Sequence, residues 1–385
     1  MSGPSPTERP VDITLFGATG FVGRLIAAYL AGRAPRSVRL AFAGRDRERL
    51  ERLRRELRRE VEVVVADVDD PASLARMAAA TRVLLTTVGP YARSGEPVVR
   101  ACVEQGADYL DLTGEPGFVA AIRAAHDAQA RERGVLVVPC CGFDSIPTDL
   151  GVLFTVLQLP RDRPITVAGY VEGRGGFSGG TLASALGAMA APARASSSSS
   201  AGSGRARPRP RLHFQPRLHR WGAPMPTIDP VIARRSASLR GDYGPDFSYE
   251  HYAAMPSLPA LGAATVVVGA LALAARVPPA RALLTRLRPP GSGPSAERRA
   301  KSWFKVSFVG RAGDAEVLTE VSGGDPGYDE TARMAGETAL CFALERDKFL
   351  VKGGVATTAS SAGEALLRRL QAAGLSFVVR ERRGL

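Results

Sequence analysis

An open α/β fold, a doubly wound parallel sheet followed by a second α+β domain, is predicted by three features of this chain. A glycine turn, Gly17-Ala18-Thr19-Gly20-Phe21-Val22-Gly23, joins an apolar run, Val11 to Phe16, to a helical stretch, Arg24 to Ala31. Strand-like and helix-like segments then alternate through Pro139. Beyond residue 150 the pattern changes to paired strands and long glycine- and proline-rich connections.

The elements follow in order. Val38 to Ala43 reads as the second strand. Arg47 to Arg59 reads as a helix with Leu50, Leu53 and Leu57 on one face. Val61 to Ala66 is the third strand, and Pro71 to Ala80 is a helix opened by proline in its first turn. Val83 to Val88 is the fourth strand. Ser94 to Gln105 is a helix with Ser94 as candidate cap and Gly106 as its stop. Tyr109 to Leu112, a helix over Gly117 to Arg133, and Val135 to Pro139 complete the first domain, residues 11–150. Residues 1–10 form a polar, proline-rich tail.

Residues 151–385 are expected to form an α+β substrate or oligomerisation domain. Ile165 to Glu172 reads as a strand and Thr181 to Ala190 as a helix. Lys301 to Val309 and Ala315 to Val321 read as an antiparallel pair, with Phe304, Val306 and Phe308 on one face. Glu330 to Leu344 and Gly363 to Ala373 read as helices. A basic Ser/Pro-rich loop (195–220) and an apolar helix (260–275) are set within this domain.

The net charge is +13, nearly all from arginine, with lysine only at Lys301, Lys305, Lys348 and Lys352. Ala193 to Ile228 holds seven arginines and no acid, but lacks the aromatic interleaving of a nucleic-acid groove, so no nucleic-acid partner is expected. Cys102, Cys140, Cys141 and Cys341, and His126, His213, His219 and His251, have no metal-ligand spacing, so no metal is expected. The cysteines suit a reducing cytosol, and the tail has no apolar leader core, so a cytoplasmic location is expected. His126 sits in a charged helix and is expected at the surface. Ala260 to Ala275 carries no charge over 16 residues. A helix of that length spans about 24 Å, short of a ~30 Å hydrocarbon core, so a buried or interface helix is expected ahead of shallow lipid contact.

Strand, glycine turn and helix together place backbone N–H groups at a helix N-terminus, where a dinucleotide pyrophosphate binds, the arrangement of a Rossmann-type domain. The predicted cofactor-binding residues are therefore Gly17 to Gly23. At the end of the second strand stands Ala43-Gly44-Arg45-Asp46. Arg45 suits the 2′-phosphate of NADP(H), and Asp46 would repel it unless it turns away to start the helix. Asp67, after the third strand, is either an adenine neighbour or a helix cap. Gly89, Pro90 and Tyr91, beyond the fourth strand, are placed to bring stiff backbone near the nicotinamide ribose.

Gly176-Phe177-Ser178-Gly179-Gly180 matches the Gly-x-Ser-x-Gly nucleophile turn of hydrolases, with Asp229, Asp242, Asp246 and His251 downstream. The leading dinucleotide turn argues against hydrolysis, and a substrate- or phosphate-contacting loop is the preferred reading of Ser178 and Thr181.

Val88-Gly89-Pro90-Tyr91, Asp108-Tyr109-Leu110-Asp111-Leu112-Thr113-Gly114-Glu115 and Cys141-Gly142-Phe143-Asp144-Ser145-Ile146-Pro147-Thr148-Asp149 resemble the saccharopine-dehydrogenase-like oxidoreductases. More narrowly they resemble the branch of trans-acting enoyl reductases of lipid and polyketide synthesis. Ser178-Gly179-Gly180-Thr181 and Gly324-Asp325-Pro326-Gly327-Tyr328 extend the resemblance. It implies NADP-linked reduction of a carbon–carbon double bond in a thioester- or carrier-bound acyl intermediate of lipid or glycolipid biosynthesis. It also implies contact with a lipid surface such as the plasma membrane.

Such a reduction needs a polarised thioester carbonyl and a proton for the α-carbon. Tyr109, Glu115 and Asp144 are the catalytic candidates; Asp111, Thr113, Ser145, Ser178 and Thr181 are substrate candidates. Glu115 near a helix start, and Asp144 and Ser145 as helix caps, are the competing structural readings. A saccharopine-type amino-acid dehydrogenase is the second hypothesis and requires basic groups in the crevice. An NADP-binding scaffold at a lipid surface is the third, and a homodimer is compatible with all of them.

Overall fold

The computed structural model describes residues 9–174, 210–277 and 293–384. The first half of the chain runs β1 (Val11–Phe16), α1 (Phe21–Arg33), β2 (Leu40–Gly44), α2 (Arg47–Leu57), β3 (Glu62–Val65), α3 (Pro71–Ala80), β4 (Thr81–Thr86), α4 (Tyr91–Gln105), β5 (Asp108–Asp111), α5 (Pro116–Glu132), β6 (Leu136–Val138) and α6 (Ile146–Val156). The second half runs β7 (Ile165–Arg174), β8 (His213–Gln215), β9 (Arg220–Pro224), α7 (Asp229–Arg240), β10 (Ser248–Met255), α8 (Leu258–Arg276) and α9 (Ala296–Ala300). It continues through β11 (Trp303–Ala312), β12 (Ala315–Gly323), α10 (Asp329–Glu345), β13 (Gly354–Val355), α11 (Thr358–Ser361), α12 (Gly363–Ala372) and β14 (Ser376–Arg383).

The first sheet has the order β13-β6-β5-β4-β1-β2-β3, with every pairing parallel. The order reverses between β1 and β4, so the crevice lies beyond the carboxyl ends of those strands. All of β1 and β2 is buried, as a parallel sheet covered on both faces requires. The layer is completed from far downstream. Helix α10 packs on α1, β1 and β4, and a Cβ on Gly336 would lie 2.5 Å from the Tyr29 ring. Glycine there lets two helices touch, and the Tyr29 hydroxyl donates to Glu337 at 2.7 Å. Strand β13 then pairs with β6 at the sheet edge.

The second sheet has the order β14-β12-β11-β7-β10-β9-β8. It is antiparallel except for β7 and β10, which run parallel. The expected hairpin forms as β11 and β12, with Phe304, Val306 and Phe308 all buried. They face α6, whose Gly151 lies so close that a Cβ would be 2.4 Å from the Phe308 ring. Thus α6 is the joint between the sheets. Asp149 on α6 has no exposure and accepts from Ser236, from the Thr358 hydroxyl at 2.8 Å and from the Ala359 amide at 2.8 Å.

Several local expectations need correction. Helix α4 begins at Tyr91 with Pro90 at its cap position, so Ser94 lies inside the helix. Asp70, rather than Asp67, caps α3, accepting from Ala72 and Ser73. Helix α2 ends two residues before Arg59 because Arg58 adopts a left-handed conformation, φ 49°. His126 is 7% exposed and bonds to Glu96 across the α4–α5 contact, since helix packing took the face its charged neighbours left open. The apolar 260–275 stretch is helical but not buried: Val266, Val267 and Leu273 are 72%, 58% and 65% exposed. No helix among the described residues is long and apolar enough to cross a membrane.

Candidate active site

The glycine turn sits between the ends of β2 and β4. The Gly17 and Ala18 amides donate to Ala43, and the Thr87 hydroxyl donates to the Gly17 carbonyl. Gly17 has φ +86°, and a Cβ there would lie 2.6 Å from Thr87 Oγ1. A Cβ on Gly23 would lie 2.1 Å from the Gly17 carbonyl oxygen, so only glycine lets α1 start this close to β1. Gly20 is exposed, meets only the Gly17 carbonyl oxygen, and supplies no side-chain cap to α1. The first turn of α1 also contains no acid. Its free N–H groups and positive dipole end are therefore open to an anion.

Thr19 and the β2–α2 turn line one cleft together with Arg45, Asp46, Arg47, Glu48 and Arg49. Asp46 turns away as the cap of α2, accepting from the Arg49 amide at 3.0 Å. Arg45 is exposed and makes no hydrogen bond or ion pair with the described residues. Arg49 donates to the Thr19 carbonyl at 3.3 Å, tying the glycine turn to the arginine turn. Three arginines and a helix N-terminus on one cleft fit a dinucleotide carrying an extra phosphate.

The ends of β5 and β6 form the crevice floor. Asp111 is wholly buried and accepts from the Tyr109 hydroxyl (2.8 Å), the Thr113 amide (2.9 Å) and the Cys140 amide (2.9 Å). Burial raises its pKa to about 6 despite those donors. Tyr109 is wholly buried, with its titration pushed far up by burial. Thr113, also buried, accepts from the Glu115 amide. Glu115 does not cap its own helix; its carboxylate takes the Tyr91 and Ala92 amides of α4 at 3.1 and 2.9 Å. Tyr91 packs on Phe118, and its hydroxyl bonds to Thr86 and Leu112. Gly89 and Pro90 are exposed at the crevice edge.

Asp144 differs from these acids. It is exposed, and it has no hydrogen bond or ion pair with the described residues. It caps nothing. The Gly114 backbone lies against it: a Cβ there would be 3.0 Å from Asp144 Oδ2. The carboxyl is open to solvent yet ringed by protein. That desolvation, with the like charge of Asp229 added, pushes its pKa up to about 6. Ser145 is buried, with its hydroxyl beside the Cys140 thiol.

Residues 13–138 match the model of the saccharopine dehydrogenase NADP-binding domain. The chain is 37% identical over 411 residues to a candidate trans-acting enoyl reductase of Mycobacterium tuberculosis, covering 96% of this chain and 98% of that one. It is 33% identical to trans-acting enoyl reductases of Mycobacterium leprae and Mycobacterium bovis, over 412 and 418 residues, with the same coverage. The chain belongs to the saccharopine-dehydrogenase-like oxidoreductases, in the trans-acting enoyl reductase branch. The saccharopine dehydrogenase (L-Glu forming) of Saccharomyces cerevisiae shares the fold at 13% identity. Its TM-score is 0.57, over 96% of this chain and 100% of that one.

This NADP-dependent oxidoreductase packs its C-terminal half against its glycine turn. Tyr328 meets Phe21 edge-on, with centroids 5.1 Å apart, and the Arg299 guanidinium lies 5.9 Å from the same ring. Arg49 is a site neighbour that the sequence reading missed, while Tyr328 entered it only through the resemblance and Asp229 only through the hydrolase alternative. Arg49 had a local signal in its two-residue spacing from Arg47 and Arg45. Ser178 and Thr181 lie outside the described residues.

Proposed function

We propose that this chain reduces the carbon–carbon double bond of an acyl thioester with NADPH, acting in trans on a lipid or polyketide intermediate. Asp144 carries this reading. It is an accessible carboxyl with a raised pKa and no structural hydrogen bond, beyond the carboxyl end of β6. The enoyl reductase name shared by the relatives supports the same chemistry.

The turn from Gly17 to Gly23 receives the pyrophosphate, through the amides of Phe21, Val22 and Gly23. Arg45 and Arg49 take the 2′-phosphate, with Asp67 near the adenine and Gly89-Pro90-Tyr91 near the nicotinamide ribose. When bound, NADPH supplies the hydride for the β-carbon. Asp144 protonates the α-carbon, and its carboxylate regains a proton from solvent in the crevice. Tyr109, Asp111, Thr113 and Glu115 hold the floor rigid so that Gly114 stays against Asp144. Helix α8, with Leu258, Val266, Val267 and Leu273 exposed, rests on a lipid surface on the cytoplasmic side.

A saccharopine-type reaction needs cations to hold substrate carboxylates. The described groups seen to touch or interact with Asp144 include Gly114, Tyr91, Cys140 and Asp229, and these four are not basic. Purified protein with NADPH and enoyl thioesters, or with NADP and saccharopine, separates the readings by absorbance at the nicotinamide band. Oxidation of NADPH with enoyl thioesters is expected; NADP reduction with saccharopine alone would sink the proposal.

A further inference from the structure

The turn that presents Asp144 closes on one carbonyl. Gly142 O accepts from the Ser145 amide at 3.2 Å and from the Ile146 amide at 2.9 Å, with Asp144 between them. The Phe143 amide has no part in that closure. It donates instead to Thr331 Oγ1 at 3.2 Å, 188 residues downstream.

Thr331 lies in the first turn of α10 and is 8% exposed. Its hydroxyl donates to the Pro326 carbonyl at 2.9 Å, so an oxygen lone pair is left for Phe143. Its methyl packs on Gly142, where a Cβ would lie 3.3 Å from Thr331 Cγ2 and 3.4 Å from the Leu112 side chain. The Phe143 ring adds an edge-on contact with Phe304, centroids 4.9 Å apart. The connection that carries Thr331 is itself tied down. Glu330 accepts from the Gly324 amide at 3.0 Å and pairs with Arg333 at 2.9 Å, and the Asp325 carbonyl takes the Glu330 amide at 3.0 Å. Three residues before Thr331, Tyr328 packs on Phe21, the first residue of α1. One short connection, Gly324 to Thr331, thus touches both the glycine turn and the turn of Asp144.

We propose that Thr331 is a positioning residue for the reduction: its hydroxyl anchors the Phe143 amide and so holds the Asp144 carboxyl at a set place relative to the glycine turn. The inference rests on Asp144 being the acid. Proton transfer to carbon needs close, aligned approach of the carboxyl. A turn that loses its anchor therefore slows that step and leaves nucleotide binding as it was.

The test compares Thr331→Val and Thr331→Ser in the full chain, with Asp144→Asn beside them. Amide hydrogen exchange over residues 141–146 is followed in the free protein. Turnover of crotonyl-coenzyme A with NADPH is followed in light and heavy water, and NADPH affinity by calorimetry. Thr331→Val is expected to speed exchange at Phe143 by roughly fivefold or more, the loss of one hydrogen bond. It is expected to lower kcat roughly tenfold and to raise the solvent isotope effect on kcat, because the proton step becomes limiting. NADPH affinity and KM for crotonyl-coenzyme A are expected to stay near wild type. Thr331→Ser, which keeps the hydroxyl, is expected to restore the exchange, kcat and the isotope effect. Thr331→Ala removes the hydroxyl without setting a methyl against the amide, and it decides the matter if Thr331→Val does not fold. Wild-type exchange at Phe143 in a folded Val or Ala variant overturns the proposal. Faster exchange with unchanged kcat and isotope effect, while Asp144→Asn is inactive, also overturns it and leaves the acid in place. A fall in kcat matched by an equal loss of NADPH affinity overturns it too, since Thr331 would then support the fold alone. Full turnover by Asp144→Asn overturns the acid itself, whatever Thr331 does.

Discussion

Tyr328 meets Phe21 edge-on at 5.1 Å, so a residue at the start of α10 packs against the glycine turn far away in the sequence. Tyr328 is wholly buried. Tyr328→Ala is expected to cost about 3–5 kcal/mol, as for other buried aromatic truncations. It is also expected to weaken NADPH binding several-fold, because Phe21 loses the surface that orients the first turn of α1. Thermal unfolding and a nucleotide fluorescence titration measure the two effects; unchanged binding would detach α10 from the cofactor turn.

Arg45 lines the cleft shared by Thr19 and Arg49, and no described residue neutralises it. Arg45→Ala is expected to weaken NADPH by roughly tenfold or more and NADH hardly at all, since a charge-assisted phosphate contact is lost. Calorimetric titration with each nucleotide reads the ratio. An equal loss for both would remove the 2′-phosphate from this arginine.

Gly20 is exposed and faces away from the packed side of its turn. Gly20→Asp is expected to leave the melting temperature within a few degrees of wild type, because the acid favours a helix N-terminus. The same charge repels a pyrophosphate, so NADPH affinity is expected to drop roughly 100-fold or more. Loss of binding with a normal melt is the diagnostic pair; wild-type affinity would move the cofactor elsewhere.

Asp144 titrates at about 6 in the folded protein, against an ordinary carboxyl near 3.9 when unfolded. Between those values the folded chain binds more protons. The stability tied to the protonated carboxyl is complete below the lower value and is lost as pH rises through the upper one. Asp144→Asn is therefore expected to stabilise the fold at pH 8, by no more than about 1 kcal/mol once solvent screening is allowed for, and to change it little at pH 3. It should also abolish most enoyl thioester reduction. Urea unfolding at the two pH values and the NADPH assay check both; full activity would assign the proton elsewhere.

Asp149 joins α6 to α11 through Thr358 and Ala359. Asp149→Ala leaves an amide and hydroxyls buried without their acceptor, at a cost of roughly 3 kcal/mol or more. NADPH binding in the surviving folded fraction is expected to stay normal, because the clamp lies away from the glycine turn. Urea midpoints and nucleotide titration separate the two.

Signals carried by neighbouring residues were legible in the chain. The spacing of Gly17, Gly20 and Gly23 predicted a turn whose geometry tolerates no Cβ at two of the three positions. Period-two alternation placed Phe304, Val306 and Phe308 on one buried face. Capping was harder to read. Asp67 reads as an adenine neighbour or a cap, yet Asp70, directly before the Pro71 that opens α3, takes the cap. Charge pattern misplaced His126, because burial there depends on how α4 packs on α5. At 260–275 apolarity predicted a buried or interface helix; the helix forms, and the exposure of Val266, Val267 and Leu273 removes burial within this chain alone.

By itself the sequence determined the parallel domain, the glycine turn between β1 and α1 and the family, because each is written in local spacing or in short strings such as Asp111 to Glu115. Only the tertiary structure decided what those strings do. Glu115 became a clamp on the α4 amides, Asp111 a buried acceptor and Asp144 an open carboxyl. The physical reason is that a carboxylate's role follows from its donors, its solvent and its neighbouring charges. For Asp144 those surroundings include the Gly114 backbone, brought against it by the folding of the β5–α5 turn, which no local pattern encodes.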